Sequence, residues 1–73
     1  MDDDELLLEL DWKLKSAERR LDFYGMHSTA FEVSTVPEPI RKLAAAQYRK
    51  TGKYKLKRIK EDGKTFFRLS KKT

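Results

Sequence analysis

The sequence predicts an α+β fold in the order helix–strand–helix–hairpin, with two helices packed on a small three-stranded antiparallel sheet. Three observations predict it. Leu7, Leu10, Leu14, Ala17, Leu21 and Tyr24 recur at alternating spacings of three and four, which is one stripe of an amphipathic helix. Phe31, Val33 and Thr35 alternate with polar neighbours until Pro37 and Pro39 interrupt the run. Asp62-Gly63, the dipeptide favoured in type I′ turns, joins two strand-like runs.

The first helix is expected over residues 4–24. Asp2 to Glu5 sit where the positive end of the helix dipole favours carboxylates, and Glu9–Lys13 and Asp11–Lys15 are favourable pairs one turn apart. Gly25 suits the residue just past the helix end. Leu8 and Trp12 lie off the stripe. A wide apolar face is normal for a helix on a sheet, so they are expected to extend the core. The other reading makes them, with Leu7, an exposed patch for a protein partner. At under three heptads, the stripe is too short to argue an independent coiled coil.

A strand is expected over 30–36 and a basic helix over 37–51, with proline tolerated in its first turn and Thr35 and Glu38 at capping-box spacing. Ile40, Leu43, Ala44, Gln47 and Tyr48 should face inward, with Arg41, Lys42, Ala45, Arg49 and Lys50 on the rest and Gly52 as the stop. The hairpin is expected over 53–71. A two-residue loop pairs Glu61 with Lys64, Arg58 with Phe67 and Leu56 with Leu69, and gathers Tyr54, Leu56, Phe67 and Leu69 on one face. The opposite face then carries Ile59 against Phe66, Lys57 against Arg68 and Lys55 against Ser70. A three-residue loop would instead set apolar residues against charged ones. The Lys57–Arg68 pair repels in isolation, so an anion, either phosphate or an acidic protein patch, is expected to neutralise it.

The charge is divided along the chain. The 73 residues hold 17 Lys and Arg against 12 Asp and Glu, a net +5. Residues 1–25 have eight acids and four bases, a balance of −4; residues 40–73 have two acids and thirteen bases, a balance of +11. Two acids and no base lie between them. Such asymmetry points to a surface for polyanions. The candidate contacts are Arg41, Lys42, Arg49, Lys50, Lys53, Lys55, Lys57, Arg58 and Arg68, with Phe66 as a stacking or wedging side chain. Packing of Phe66 on the first helix is the competing reading.

One small domain over 1–73 accommodates the whole length. A chain this short buries a thin core, and with no cysteine neither a disulfide nor a cysteine zinc site is available to staple it. His27 is the single histidine and the three glycines form no phosphate loop, so catalysis, metal and cofactor are not expected. The acidic start is unlike a signal peptide, and an apolar run such as Leu6-Leu7-Leu8 is far short of a membrane span. No membrane association and a cytoplasmic location are therefore expected.

The element order resembles a reduced winged helix, with 37–51 as recognition helix and 54–70 as wing, although a winged helix carries two helices before the wing. The stretch Ile40-Arg41-Lys42-Leu43-Ala44 … Tyr48-Arg49-Lys50-Thr51-Gly52-Lys53 … Asp62-Gly63 … Phe67-Arg68-Leu69 resembles a helix–hairpin module recurring in small bacteriophage proteins. With the divided charge, it makes the chain similar to small bacteriophage transcription regulators that bind host RNA polymerase, such as that of a Xanthomonas phage. The resemblance implies docking on the β′ subunit near the RNA exit channel, opposition to σ-dependent initiation, and readthrough of terminators. It also implies a place in the host bacterial cytoplasm, with nascent RNA or an acidic protein surface against the basic part. Beside it, direct winged-helix-like DNA binding and inhibition of another host protein stand as alternatives. A monomer or a weak dimer through the first helix is compatible with each.

Overall fold

The computed structural model describes residues 2–72 and has the α+β architecture that the sequence predicts. Helix α1 spans Asp3–Tyr24, strand β1 Ser28–Glu32, helix α2 Glu38–Thr51, strand β2 Lys55–Glu61 and strand β3 Lys64–Ser70. The strands form one antiparallel sheet in the order β1-β3-β2, so the last strand lies in the middle. Both helices pack on one face of it, α1 over β1 and β3 and α2 over β2. Among the described residues a single helix lies between β1 and β2, where a winged helix carries two.

Helix α1 begins one residue before its predicted start. Asp2 caps it: a side-chain oxygen accepts from the Glu5 amide at 2.9 Å, satisfying a donor the first turn leaves open. Gly25 closes it at φ 64°, a left-handed conformation that glycine adopts without Cβ strain. Leu10, Leu14, Ala17 and Leu21 are buried as expected. Tyr24, the predicted end of the stripe, is exposed. Leu8 and Trp12 do not widen the core; they are 68% and 69% exposed. At 100° per residue they lie roughly 150° and 170° round the helix from the middle of the buried stripe. Leu6 and Leu7 flank the core instead.

The predicted 30–36 strand is displaced. β1 starts at Ser28, and the ladder stops after Glu32. Val33 donates its amide to the Thr65 carbonyl at 2.7 Å, then accepts from the Val36 amide at 3.1 Å, which is a turn. Val33 and Val36 are both buried, three residues apart, while Thr35 faces solvent. The alternation therefore ends at Val33, because the chain must reverse towards α2.

Pro37 occupies the N-cap position of α2 without a side-chain cap, so the Thr35–Glu38 capping box does not form. The buried face is Ile40, Ala44, Ala45 and Tyr48. Leu43 is 46% exposed and Gln47 is also exposed, whereas Ala45, expected outside, is 1% exposed. The helix is rotated so that small Ala44 and Ala45 meet the core, which permits close approach. Gly52 has φ −77° and is not a left-handed stop. Its role is space: a Cβ there would collide with the Tyr48 ring.

The hairpin has the predicted two-residue register throughout, from Glu61↔Lys64 to Lys55↔Ser70. Asp62 and Gly63 take φ 52° and 75°, the two positive values a type I′ turn needs. Leu56, Phe67 and Leu69 are buried against the helices, with Tyr54 and Phe31 packed beside them. Phe31 meets Phe67 edge-on at 5.9 Å between ring centroids.

Candidate nucleic-acid interface

Side chains alternate across a strand, so burial of Leu56, Phe67 and Leu69 beneath the helices assigns the opposite face to their neighbours. The register arranges that face in three rows across β1, β3 and β2. They are Ser28–Ser70–Lys55, Ala30–Arg68–Lys57 and Glu32–Phe66–Ile59. Among the described residues, no element packs on these rows. Arg68, on the central strand, is exposed, as are Lys55 and Lys57; Phe66 and Ile59 are half-buried beside each other. The competing reading, that Phe66 packs on the first helix, is overturned, since it lies on the face away from both helices. Adjacent rows stand about 7 Å apart and the outer strands about 10 Å apart, which gives a shallow platform, not a pocket.

The like-charge pair is real: Lys57 stands directly opposite Arg68. Among the described residues neither they nor Lys55 form an ion pair. The adjacent acid, Glu32, instead accepts from the Ser34 hydroxyl at 2.8 Å. Two bases facing each other leave that row net positive, while Glu32 places one negative charge in the neighbouring row beside Phe66.

The other candidate bases lie elsewhere. Arg58 shares the helix-facing side with Phe67, and there it lines a cleft with Arg41, Glu38, Lys60 and Thr65. Lys42, Arg49 and Lys50 are exposed on α2, and Lys42 is 3.9 Å from Glu38. Lys53 is drawn into the protein's own network: its ammonium lies 2.6 Å from Asp22, which also accepts from the Tyr54 hydroxyl. Hydrogen bonds first from Lys53 and then from Tyr54 hold the Asp22 carboxyl below its usual pKa, and the same contacts raise Lys53 and Tyr54. Leu7 packs at the core edge, lining the groove between α1 and α2, whereas Leu8 and Trp12 project outward.

Sequence reasoning missed two polar links and one apolar side chain. Tyr48 donates to Glu18 at 2.5 Å, tying α2 to α1; burial and then this carboxylate push its phenol pKa upward. The Asp22 cluster ties the end of α1 to the start of the hairpin. Both span about thirty residues, and no local pattern signals them. Phe23 is 85% exposed. Its signal was available, since it lies eleven residues, or about three turns, beyond Trp12.

Among the described residues, no group of three or more His, Asp or Glu side chains is placed to hold a metal, and no helix is long and apolar enough to cross a membrane. The chain matches no protein-family model, no curated protein and no solved structure.

Proposed function

We propose that this chain is a non-enzymatic regulator that binds single-stranded nucleic acid on its open sheet face. The observation that carries the reading is the uncovered platform of Lys55, Lys57 and Arg68 around Phe66 and Ile59. Bases supply phosphate contacts, and a half-exposed aromatic ring supplies a stacking surface that any base can use. Two features favour a single strand over a duplex. The hairpin tip sets Glu61 and Asp62 against Lys60 and Lys64, so it has no net positive charge to draw a wing into a phosphate-lined groove. A flat face also meets an unpaired strand more fully than it meets a rod-like helix.

A short fluorescein-labelled single strand should therefore raise its fluorescence anisotropy on titration at low salt, and the matching duplex should bind more weakly. Reversing Lys57 and Arg68 to Glu should weaken binding more than about tenfold, and Phe66→Ala about tenfold, the order expected for one lost stack. Absence of binding to either form at low salt would overturn the reading. A preference for the duplex would move it to α2 and the wing.

A second reading places the regulator on host RNA polymerase, as the resemblance to small phage regulators implies. Its support is the separation of bases onto two surfaces. Lys42, Arg49 and Lys50 on α2 are distinct from the sheet face, so an acidic protein surface and a transcript could be held together. A tagged chain should retain polymerase subunits from bacterial lysate, and Lys42, Arg49 and Lys50 changed to Glu should release them. Failure to recover any subunit under gentle conditions would remove this reading while leaving the first intact.

A further inference from the structure

Helix α1 has a second apolar feature, on the side opposite the core. Leu8, Trp12 and Phe23 are 68%, 69% and 85% exposed, yet share one side of the helix, within about 60° of each other at 100° per residue. The same helix is sharply dipolar. Residues 2–11 hold six acids and no base, while residues 13–20 hold four bases and one acid. Lys15 and Arg19 fall on the ridge itself, between Trp12 and Phe23. Glu9–Lys13 and Asp11–Lys15 are exposed pairs at 3.7 and 3.3 Å, the kind that exchange partners at little cost.

We infer that this ridge docks a second copy of the chain, with the two α1 helices antiparallel. A parallel pair would set six acids against six acids. An antiparallel pair brings the acidic half of each helix towards the basic half of the other, and the two-fold axis makes each contact occur twice. With the axis beside Lys13 and Leu14, Lys15 comes level with Trp12 of the partner copy. Arg20 then falls between Glu5 and Glu9 of the partner copy. The Trp12 ring gains a cation against its face, and the apolar side chains leave water. Three anchors on a helix about 33 Å long make a small interface, which suits a dimer in the micromolar range. The basic sheet face lies on the side away from both helices, so it stays open in each copy and one dimer presents two of them. This inference does not rest on what those faces bind.

The single tryptophan lies in the proposed interface and reports on it directly. Sedimentation equilibrium from about 1 to 200 μM should show a monomer–dimer transition in the range expected for a small interface, with Trp12 emission shifting to the blue over the same range. Trp12→Ala should remain monomeric with an unchanged circular dichroism spectrum, as an exposed side chain allows. Two charge-reversed chains complete the test, one with Glu5→Lys and Glu9→Lys, the other with Arg19→Glu and Arg20→Glu. Each alone should be monomeric, and an equimolar mixture should restore the dimer. A wild-type chain that stays monomeric with constant Trp12 emission would overturn the inference and leave the ridge to another protein. A dimer indifferent to Trp12→Ala or to both reversals would equally overturn it.

Discussion

Replacing Tyr48 by Phe removes the hydroxyl that donates to Glu18 at 2.5 Å but keeps the ring against Gly52. Stability should fall by about 1–2 kcal/mol, the order for a hydrogen bond to a charged acceptor that is only part-buried, read from a denaturant midpoint. The same contact links stability to pH. The Tyr48 phenol has its pKa raised in the fold, so its contribution is complete below about pH 10 and is lost as pH rises through the folded value. Tyr54 acts in the same direction through Asp22. Asp22 works at the other limit. Its folded pKa lies below 3.8, so its contribution is complete above that value and disappears as pH falls through the folded one. Thermal melts of Tyr48→Phe should lose part of the alkaline limb, and those of Asp22→Asn part of the acid limb. Gly52→Ala forces the new methyl into the Tyr48 ring and should cost about 1–3 kcal/mol by the same denaturant assay.

At the scale of elements, the hairpin combines a favourable turn with an unfavourable pair. Asp62-Gly63 sets the register, and that register puts Lys57 opposite Arg68. Lys57→Glu converts repulsion into attraction, so the isolated protein should gain about 0.2–1 kcal/mol while its affinity for a single strand falls. Measuring melting temperature and anisotropy on one preparation tests both signs together; a fall in both would mean that the pair is not opposed to stability. The hairpin register was legible because a period-two pattern and a two-residue turn leave one pairing that segregates apolar from charged side chains. The β1 strand was less legible. Val33 and Val36 are both core residues, but a turn places them there, and a run of four residues cannot distinguish a turn from a strand by alternation. For α2 the apolar residues are few and small, so the pattern left its rotation underdetermined. Contact with β2 and α1 chose Ala45 over Leu43.

For the whole molecule, the proposed function concerns a face and therefore a salt dependence. Three bases on the open sheet should give single-strand binding that weakens about 20-fold between 50 and 200 mM salt, from the counterions three phosphate contacts release. A much steeper slope would recruit Arg41, Arg58 or the α2 bases to the same strand. The candidate site itself was partly legible. Its residue types and their pairing across β2 and β3 follow from the hairpin alone, but the sequence lists ten candidates as one group. The fold separates them into a sheet platform, a helix-side cleft, an exposed α2 flank and an internal ion pair at Lys53. Leu8 and Trp12 show the same division. Their place opposite the stripe was implicit in helical geometry, yet only the packed structure leaves that side bare.

By itself, then, the sequence determined the element order, the amphipathic stripe of α1, the turn at Asp62-Gly63 and the hairpin register, along with the split between an acidic start and a basic end. These depend on contacts between near neighbours, where spacing and turn chemistry leave few alternatives. Only the tertiary structure decided that β3 is central, that the platform around Phe66 faces away from both helices, and that Tyr48 and Asp22 tie α1 to distant segments. Those outcomes depend on which faces meet when the elements condense. Small Ala44 and Ala45 meet the core where larger Leu43 does not, a choice that short apolar patterns do not encode.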